Sequence, residues 1–384
     1  MADTAGFWEV DQEHGDFQLS VRAFVDRQVR PIVDEAEAAG HPPAALWKEL
    51  GAAGLLGLAV PEEYGGGEGD ALAVALLAEE LARASGGIAV TALVSAYMAA
   101  PHIARFGTAE QRAAYLPGIV AGQRVAAIAV TEPGAGSNVA GITSRATRTD
   151  AGFVLNGTKM FITNAGLADV FVVAARTSDE GHRGISMFLL EAGTDGLSVG
   201  RPLRKMGWHA SDTREVVLAD CLVPFEALLG TEGRGFQQIM EAFQLERITL
   251  AAMGLGHAAE CLRLATDYAA SREVFGSPLI DLQTARHRLG AMSVELEAAR
   301  LLTYQAAARL DAGHPGARRS VAIAKYYAAR AANNIADDAV QLFGGSGFLE
   351  ETPVARHYRD VRILRIGGGT DEIQLEILGK GLTS

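Results

Sequence analysis

The sequence predicts an α+β protein of several domains, with helical domains at both ends and a β domain between them. Helical periodicity dominates as far as about residue 125, short runs rich in β-branched residues follow, and long amphipathic segments return after Gly235. At 384 residues, the chain is long enough for two or three separate cores. The predicted domains are an N-terminal helical domain at 1–122, a central β domain at 123–234 and a C-terminal helical bundle at 235–384.

The first 125 residues carry helix signals. Apolar residues recur at helical spacing before Pro31 interrupts the run, and Thr108 with Gln111 has the form of a capping box at a helix start. The most apolar window, Gly87 to Ala100, is too short to cross a bilayer and leads directly into Pro101, so we interpret it as a buried helix. The first apolar run consists of Phe17, Val21, Phe24, Val25 and Val29.

The central region has the texture of β strands. Its apolar runs are separated by turn residues, Asp150-Ala151-Gly152 and Asn156-Gly157, which we expect to lie between strands of hairpins. A small barrel or sandwich is the predicted architecture. The runs are RVAAIAV, GFVLNGTKMFIT, VFVVAAR, GISMFLLE and REVVLADCLVP. The long amphipathic segments after Gly235 are typical of antiparallel helices that pack as a bundle.

Composition and charge exclude several classes of function. The 34 basic and 46 acidic residues give a net charge of −12, which argues against a general nucleic-acid surface or an anionic membrane partner. A local basic patch around a phosphorylated ligand stays open. Cys221 and Cys261 form no metal-ligand pattern and no disulfide framework, so we expect no metal and a cytoplasmic location. The acidic N-terminus, MADTAGFWEVDQEHGD, lacks the features of a signal peptide.

Two segments of the β domain could bind a ligand. In AVTEPGAGSNVAG, Gly134 and Gly136 allow close approach to the main chain, while Thr131 and Ser137 supply hydroxyls. This segment matches neither a P-loop nor a dinucleotide-fold glycine pattern, so a tight structural turn explains it equally well. In NGTKMFITN, Phe161 and a Thr two positions later share a strand face and could meet one planar ligand. A strand with one buried aromatic is the simpler interpretation from these residues alone.

These segments resemble the acyl-CoA dehydrogenase family in order and spacing over essentially the whole chain. The resemblance extends through VPEEYGG, KMGWHASDTREVVLADCLVP, SREVFGSPLIDLQ, AVQLFGGSGF and GGGTDEIQ. It implies a helical domain, a β domain and a four-helix bundle, usually in a homotetramer, with FAD held between domains and subunits. It also implies an acyl-CoA substrate and reoxidation of the flavin by an electron-transfer flavoprotein.

The resemblance assigns cofactor contacts to three parts of the chain. Thr131 and neighbouring amides would bond the flavin pyrimidine edge, Phe161 would stack on the ring in place of a Trp common in the family, and Thr163 would lie near N5. Arg272 and Phe275 would reach the dinucleotide from a neighbouring subunit. Leu282 stands where a His is frequent, and Asn138 replaces an Asp. The full cofactor set is Val130, Thr131, Gly136, Ser137, Phe161, Ile162, Thr163, Arg272, Phe275, Gln283, Gln341, Gly344, Gly345, Thr370 and Glu372.

The catalytic base is predicted at Glu246. Removal of a proton α to a thioester needs a carboxylate, together with donors that stabilise charge on the thioester oxygen. Many family members carry that carboxylate at the position of Gly368, which has no side chain here. Isovaleryl-CoA and long-chain acyl-CoA dehydrogenases carry it on the first helix of the C-terminal domain, where this chain has Glu246 within an apolar stripe. An ion pair with a bundle Arg is the alternative from the helix alone. The stripe consists of Ile239, Phe243, Leu250 and Met253.

The neighbours of the base receive secondary roles. Arg247 lies about 100° further round the helix and is expected to orient the acyl carrier or to pair with an acidic residue. Asp371 and Glu372 are expected at a helix N-terminus, with Glu372 a possible cofactor contact. The predicted substrate-binding residues are Ser137, Arg247, Gly368 and Gly369.

The predicted function is therefore FAD-dependent α,β-dehydrogenation of an acyl thioester, with a short or branched acyl-CoA as first choice. An acyl group on a carrier protein is one alternative, because only the nucleotide end of the substrate differs. A flavoprotein scaffold of the same fold without dehydrogenase activity is the other, and it includes relatives that associate with nucleic acid.

Overall fold

The structure, a computed structural model, describes residues 10–383. The first nine residues of the acidic N-terminal sequence lie outside that range. The N-terminal part is helical, and the predicted capping box is present, with Thr108 N donating to Gln111 Oε1 and Gln111 N donating to Thr108 Oγ1. Its helices are α1 (Gln12–Phe24), α2 (Val33–Ala39), α3 (Ala44–Ala52), α4 (Ala71–Ala84), α5 (Gly86–Leu93), α6 (Ala100–Phe106) and α7 (Ala109–Val120).

The apolar window of the sequence forms a longer helix than predicted. A π-helical segment, Val94–Ala99, joins α5 to α6, and the helix continues through Pro101 to Phe106. Pro101 is the second residue of α6 and directly follows the π-helical segment. By length and composition the 21 residues from Gly86 to Phe106 could span a membrane, but 89% of the apolar window is buried inside the protein. This segment is a core helix, as predicted.

The central part is one eight-stranded sheet. The strand order is β6-β7-β3-β2-β4-β5-β8, and β1 pairs with β4 in parallel. Both faces carry buried apolar side chains, so the sheet has a core on each side. The strands are β1 (Ala126–Ala129), β2 (Arg145–Thr149), β3 (Gly152–Thr163), β4 (Val170–Arg176), β5 (Ile185–Glu191), β6 (Leu197–Val199), β7 (Thr213–Val223) and β8 (Leu228–Leu229).

One of the two predicted turns is wrong. Asp150 and Ala151 turn the chain between β2 and β3, as predicted. Asn156 and Gly157 instead lie inside β3, where the register with β7 shifts. Gly157 has φ +150°, and a Cβ there would lie 2.2 Å from Ser144 Oγ, so the glycine permits a close approach of the residue that precedes β2. An Asn-Gly pair occurs both in hairpin turns and inside strands, and the sequence alone did not distinguish these two settings.

The C-terminal part is a bundle of long helices, with a small hairpin after the first. Helices α8, α9 and α10 share one continuous core with α4 and α5 of the N-terminal part, which fixes α8 between the two helical regions. Cys221 and Cys261 are buried and free. The elements are α8 (Gly235–Ser271), β9 (Glu273–Val274), β10 (Ser277–Pro278), α9 (Gln283–Asp311), α10 (Ala317–Phe343), α11 (Pro353–Val361) and α12 (Asp371–Thr383).

Candidate active site

Helix α8 places Glu246 beside the glycine turn at 367–369. Ile239, Leu250 and Met253 of the predicted stripe are buried, so this face of α8 points into the protein and takes Glu246 with it. A Cβ added at Gly368 would lie 3.6 Å from Glu246 Oε1 and 2.6 Å from Leu250 Cδ1. The carboxylate therefore approaches the space that a side chain at position 368 would enter.

The surroundings of Glu246 favour its neutral form. Burial of the carboxyl group raises the pKa of Glu246 to about 7, and the positive charges of Arg247 and Lys325 only partly oppose this shift. A carboxylate with a pKa near 7 is ionised in part at neutral pH and is a stronger base than an exposed one. The residue as a whole keeps partial solvent access.

Three side chains hold the carbonyl groups of the glycine turn. Arg247 Nε donates to Gly368 O at 3.1 Å, Lys325 Nζ donates to Gly369 O at 2.5 Å, and Gln374 Nε2 donates to both oxygens at 3.3 and 3.1 Å. Because peptide C=O and N–H groups point in opposite directions, the N–H groups of the following residues point away from these donors. Arg247 thus contacts a backbone carbonyl, where the sequence suggested an acyl carrier or an acidic neighbour.

Lys325 and Gln374 were missed in the sequence. Lys325 follows Val321 by four residues and precedes Ala328 by three, and all three side chains are buried on one face of α10. The position of a lysine within an alanine-rich apolar stripe could have identified Lys325 as a functional candidate, because a buried ammonium group requires a partner.

The two acidic residues after Thr370 lie where they were expected. Helix α12 begins at Asp371, and both Asp371 and Glu372 lie in its first turn. Asp371 is buried and pairs with Arg365 Nε at 2.8 Å, while Glu372 is exposed. Of the two, only Glu372 is accessible to a ligand.

The β domain presents the second group of predicted residues. Thr131 O accepts a hydrogen bond from Met160 N at 2.8 Å, which joins the glycine-rich segment to β3. Phe161 has φ +61° and its residue surface is 65% exposed, whereas Ile162 is buried and Thr163 is partly buried. The aromatic is therefore an outward-facing ring, and the alternative of a strand with a buried aromatic is wrong.

The third group lies at the far end of α8. Arg272 follows the last residue of α8, and Phe275, at the tip of the β9-β10 hairpin, is fully exposed. Phe343 stacks on Tyr268 with ring centroids 4.2 Å apart, so the end of α10 lies at this same end of the bundle. Gln341 lies in the last turn of α10, Gly344 and Gly345 follow that helix, and all three are exposed.

The third group is too far from Glu246 of the same chain to share one site with it. Glu246 and Ser271 are separated by 25 residues of a single helix, about 37 Å at 1.5 Å per residue. Gln283, the first residue of α9, is exposed and follows the same hairpin. The structure thus brings the predicted residues together as separate clusters within one chain.

The exposed groups fit a flavin dinucleotide. Phe161 offers an open ring face, and at Gly134, Gly136, Gly344 and Gly345 the space around an added Cβ is open. Open glycine backbone allows a ligand to approach peptide N–H groups, and Arg272 supplies a charge suited to phosphate.

Three family models match nearly all of the chain. The N-terminal domain of acyl-CoA dehydrogenase matches residues 11–123, its middle domain matches 127–221, and its C-terminal domain matches 233–383. The three domains occur in the predicted order, which confirms the predicted fold class.

Relatives with several chain-length specificities are similar to the chain. The short-chain specific acyl-CoA dehydrogenase of Megasphaera elsdenii is 40% identical over 96% of this chain and 97% of its own length. The isovaleryl-CoA dehydrogenase of Oryza sativa is 36% identical over 97% and 91%, and the long-chain specific enzyme of Mus musculus is 37% identical over 97% and 87%. The relatives support the family as a whole.

Solved structures agree with this result. Butyryl-CoA dehydrogenase from Megasphaera elsdenii superposes with a TM-score of 0.94 at 39% identity, covering 99% of this chain and 100% of the other. An acyl-CoA dehydrogenase from Bacillus anthracis complexed with FAD superposes with a TM-score of 0.91 at 32% identity, covering 98% of this chain and 68% of the other. The chain belongs to the acyl-CoA dehydrogenase family and is a flavoprotein oxidoreductase that uses FAD.

Proposed function

We propose that the chain dehydrogenates a short or branched acyl-CoA to the 2-enoyl thioester, with Glu246 as the base. The observation that carries this proposal is the position of the Glu246 carboxylate beside Gly368, where a side chain is absent. This arrangement is also the reason to group the chain with the isovaleryl-CoA and long-chain subtype.

Glu246 accepts the α-proton in this proposal. Its raised pKa of about 7 supports the role, because a carboxylate whose acid form has a higher pKa binds a proton more strongly than an ordinary carboxylate. Bound FAD supplies the hydride acceptor for the β-hydrogen. Gly368 and Gly369 hold the thioester through the backbone of the turn, and the donors on their carbonyls fix the orientation of the peptide N–H groups of Gly369 and Thr370. Ser137 and Arg247 complete the proposed substrate contacts.

The flavin-contacting residues are proposed in two sets. Thr131 and Phe161 hold the ring in one subunit, and the set around Arg272 reaches the dinucleotide of a neighbour. The distance of about 37 Å along α8 supports this division, because Arg272 lies so far from Glu246 of its own chain. A homotetramer is the expected assembly. The remaining proposed cofactor residues are Val130, Gly136, Ser137, Ile162, Thr163, Phe275, Gln283, Gln341, Gly344, Gly345, Thr370 and Glu372.

Membership of the family does not define the acyl group, its carrier or the electron acceptor, and we propose each of them here. The resemblance of the GGGT turn, together with Glu246 on α8, to the isovaleryl-CoA type favours a branched or short acyl group. We propose CoA as the carrier, an electron-transfer flavoprotein as the acceptor and a cytoplasmic location. Turnover of short, branched and long acyl-CoA esters, compared with the same acyl groups on carrier protein, tests this; faster turnover of carrier-protein substrates would contradict it.

Replacement of the base tests the central assignment. Glu246→Gln keeps the size of the side chain but cannot accept the proton, so we expect FAD to stay bound and its anaerobic reduction by acyl-CoA to slow by about 10³-fold. The absorbance of the oxidised flavin measures both. Glu241→Gln, five residues earlier on α8 and paired with Arg105, is the control and should reduce normally. Normal flavin reduction in Glu246→Gln would sink the assignment, and absence of reduction in the unchanged protein would favour a scaffold without dehydrogenase activity.

A further inference from the structure

A buried ion pair lies behind the predicted flavin face. Lys159 Nζ donates to Glu132 Oε1 at 2.7 Å, and the two side chains are 0% and 4% exposed. Lys159 Nζ also donates to Val130 O at 3.2 Å. Family resemblance and sequence pattern assigned no role to either residue, and neither is needed for the proton transfer proposed above.

The carboxylate of Glu132 is fully hydrogen-bonded. Its Oε2 accepts from Thr143 N at 2.6 Å and Thr143 Oγ1 at 2.9 Å, and its Oε1 accepts from Ser144 N at 3.0 Å. Burial alone would raise the pKa of Glu132, but Lys159 and these donors outweigh it and lower the pKa to about 2. The carboxylate is therefore ionised at neutral pH and holds both ends of the glycine-rich segment.

The pair joins the two stretches that carry the predicted flavin contacts. Glu132 directly follows Thr131, and Lys159 precedes Phe161 by two residues on β3. The strand register shifts between Lys159 and Ile162, and Phe161 adopts a left-handed φ of +61°. A non-glycine residue in that conformation costs about 1–3 kcal/mol and persists only where its surroundings enforce it.

We propose that Glu132 and Lys159 are a positioning pair, which sets the distance between Thr131 and Phe161 so that the flavin ring fits between the loop and the strand. Neither residue touches the flavin itself. The ion pair acts through the backbone on either side, together with the Met160 N to Thr131 O hydrogen bond. This inference rests on the flavin-contacting residues of the proposed function.

The test compares FAD binding in variants of the full chain. Removing one partner leaves a buried charge unpaired and endangers folding, whereas replacing both with neutral residues of similar size avoids this cost. In the double variant Glu132→Gln/Lys159→Met we expect the apoprotein to melt near the unchanged protein but to bind FAD about tenfold more weakly. We expect the midpoint potential of its bound flavin to be more negative, because the donors at the pyrimidine edge are no longer held in place.

A second ion pair, between the buried Glu79 and the partly buried Arg300, provides the control. Glu79 on α4 accepts hydrogen bonds from Arg300 and Tyr304, which both lie on α9, away from the glycine-rich segment. Glu79→Gln/Arg300→Met should change neither the FAD dissociation constant nor the flavin potential. A folded Glu132→Gln/Lys159→Met variant with unchanged FAD affinity and potential would overturn the positioning role.

Two further variants distinguish a failure of the positioning role from a failure to fold and from a failure of the proposed flavin site. If the double variant does not fold, Thr143→Val, at an exposed position, removes only the hydroxyl donor to Glu132; about threefold weaker FAD binding supports the role, and unchanged binding rejects it. Phe161→Ala tests the flavin placement itself. If Phe161→Ala leaves FAD affinity unchanged, the proposed flavin site fails; if it weakens binding while the pair variants do not, only this inference fails.

Discussion

Glu246 and Glu132 are both carboxylates enclosed by protein, yet the structure sets them for opposite tasks. Glu246 has two cations nearby, but both direct their hydrogen bonds to the carbonyls of the glycine turn, and the pKa of Glu246 rises to about 7 through burial. Glu132 receives an ammonium group and three further donors directly, and its pKa falls to about 2.

The difference shows that burial alone does not decide the behaviour of a carboxylate. What decides it is whether nearby donors bond to the carboxylate or to something else. At the glycine turn, Arg247 and Lys325 donate their hydrogen bonds to backbone carbonyls and not to Glu246. The pKa of Glu246 therefore stays raised, which suits proton exchange near neutral pH. In the β domain, Lys159 is committed to Glu132, which makes that carboxylate a fixed anchor.

Stability measured against pH should separate the two carboxylates most strongly. At pH 8, Glu132→Gln leaves Lys159 charged and unpaired and should destabilise the apoprotein by about 3–5 kcal/mol. Glu246→Gln should instead stabilise it by at most about 3 kcal/mol, because ionising a group with a raised pKa costs about 1.36 kcal/mol per pKa unit.

The signs follow from the direction of each pKa shift. Glu132 has a lowered pKa, so its stabilisation is present above its ordinary value of 4.5 and is lost as the pH falls toward 2. Glu246 has a raised pKa, so its cost is present above about pH 7 and disappears below about 4.5. Thermal melting of both variants at pH 8 and pH 5 checks this. Stabilisation by both substitutions, or by neither, would contradict the comparison.

A methyl group at position 368 should disturb the Glu246 site specifically. Gly368→Ala places a Cβ 2.6 Å from Leu250 Cδ1 in a backbone with φ +63°, so we expect a loss of about 1–3 kcal/mol in stability and a lower kcat. Melting temperature and steady-state turnover measure these effects. Gly367→Ala is the matched control, because its Cβ would meet nothing closer than 3.7 Å. Equal effects at the two positions would show that the close approach at Gly368 is unimportant.

The pH profile should report Glu246 as the reactive group. Since the base must be ionised, kcat/KM should rise about tenfold per pH unit below pH 7 and level off above it. Lys325→Met removes a positive charge that lowers the pKa of Glu246, so the midpoint of the profile should move to higher pH. This move should be smaller than the shift that burial of Glu246 causes. A profile that is flat between pH 5 and pH 8 would argue against Glu246 as the base.

Much of this arrangement could be predicted from the sequence. The β3 and β4 runs match the observed strands residue for residue, and the Glu246 stripe follows from helical spacing. The continuation of the helix through Pro101 could not be predicted. It depends on the π-helical segment before Pro101, and no residue type in the sequence indicates such a segment. The sequence predicted that Gly368 and Gly369 bind substrate, but the contacts of the glycine turn with α8, α10 and α12 depend on helices distant in sequence.

The Glu132–Lys159 pair left a signal that went unused. Phe153, Leu155 and Lys159 share one parity on β3, and all are buried. Strand alternation therefore placed a lysine on the inner face, where an ammonium group requires a partner. The sequence offers no way to choose Glu132 among 46 acidic residues, since the pairing depends on the path of the loop after β1.

The bare turn at Gly368 also constrains how this protein can change. Moving the base to position 368 would put a side chain against Leu250 Cδ1 and close to the existing carboxylate, in a left-handed backbone that penalises any residue except glycine. A single substitution would therefore give two crowded carboxylates and a strained turn. Relocation of the base to position 368 therefore requires changes at Leu250 and Glu246 as well as at Gly368.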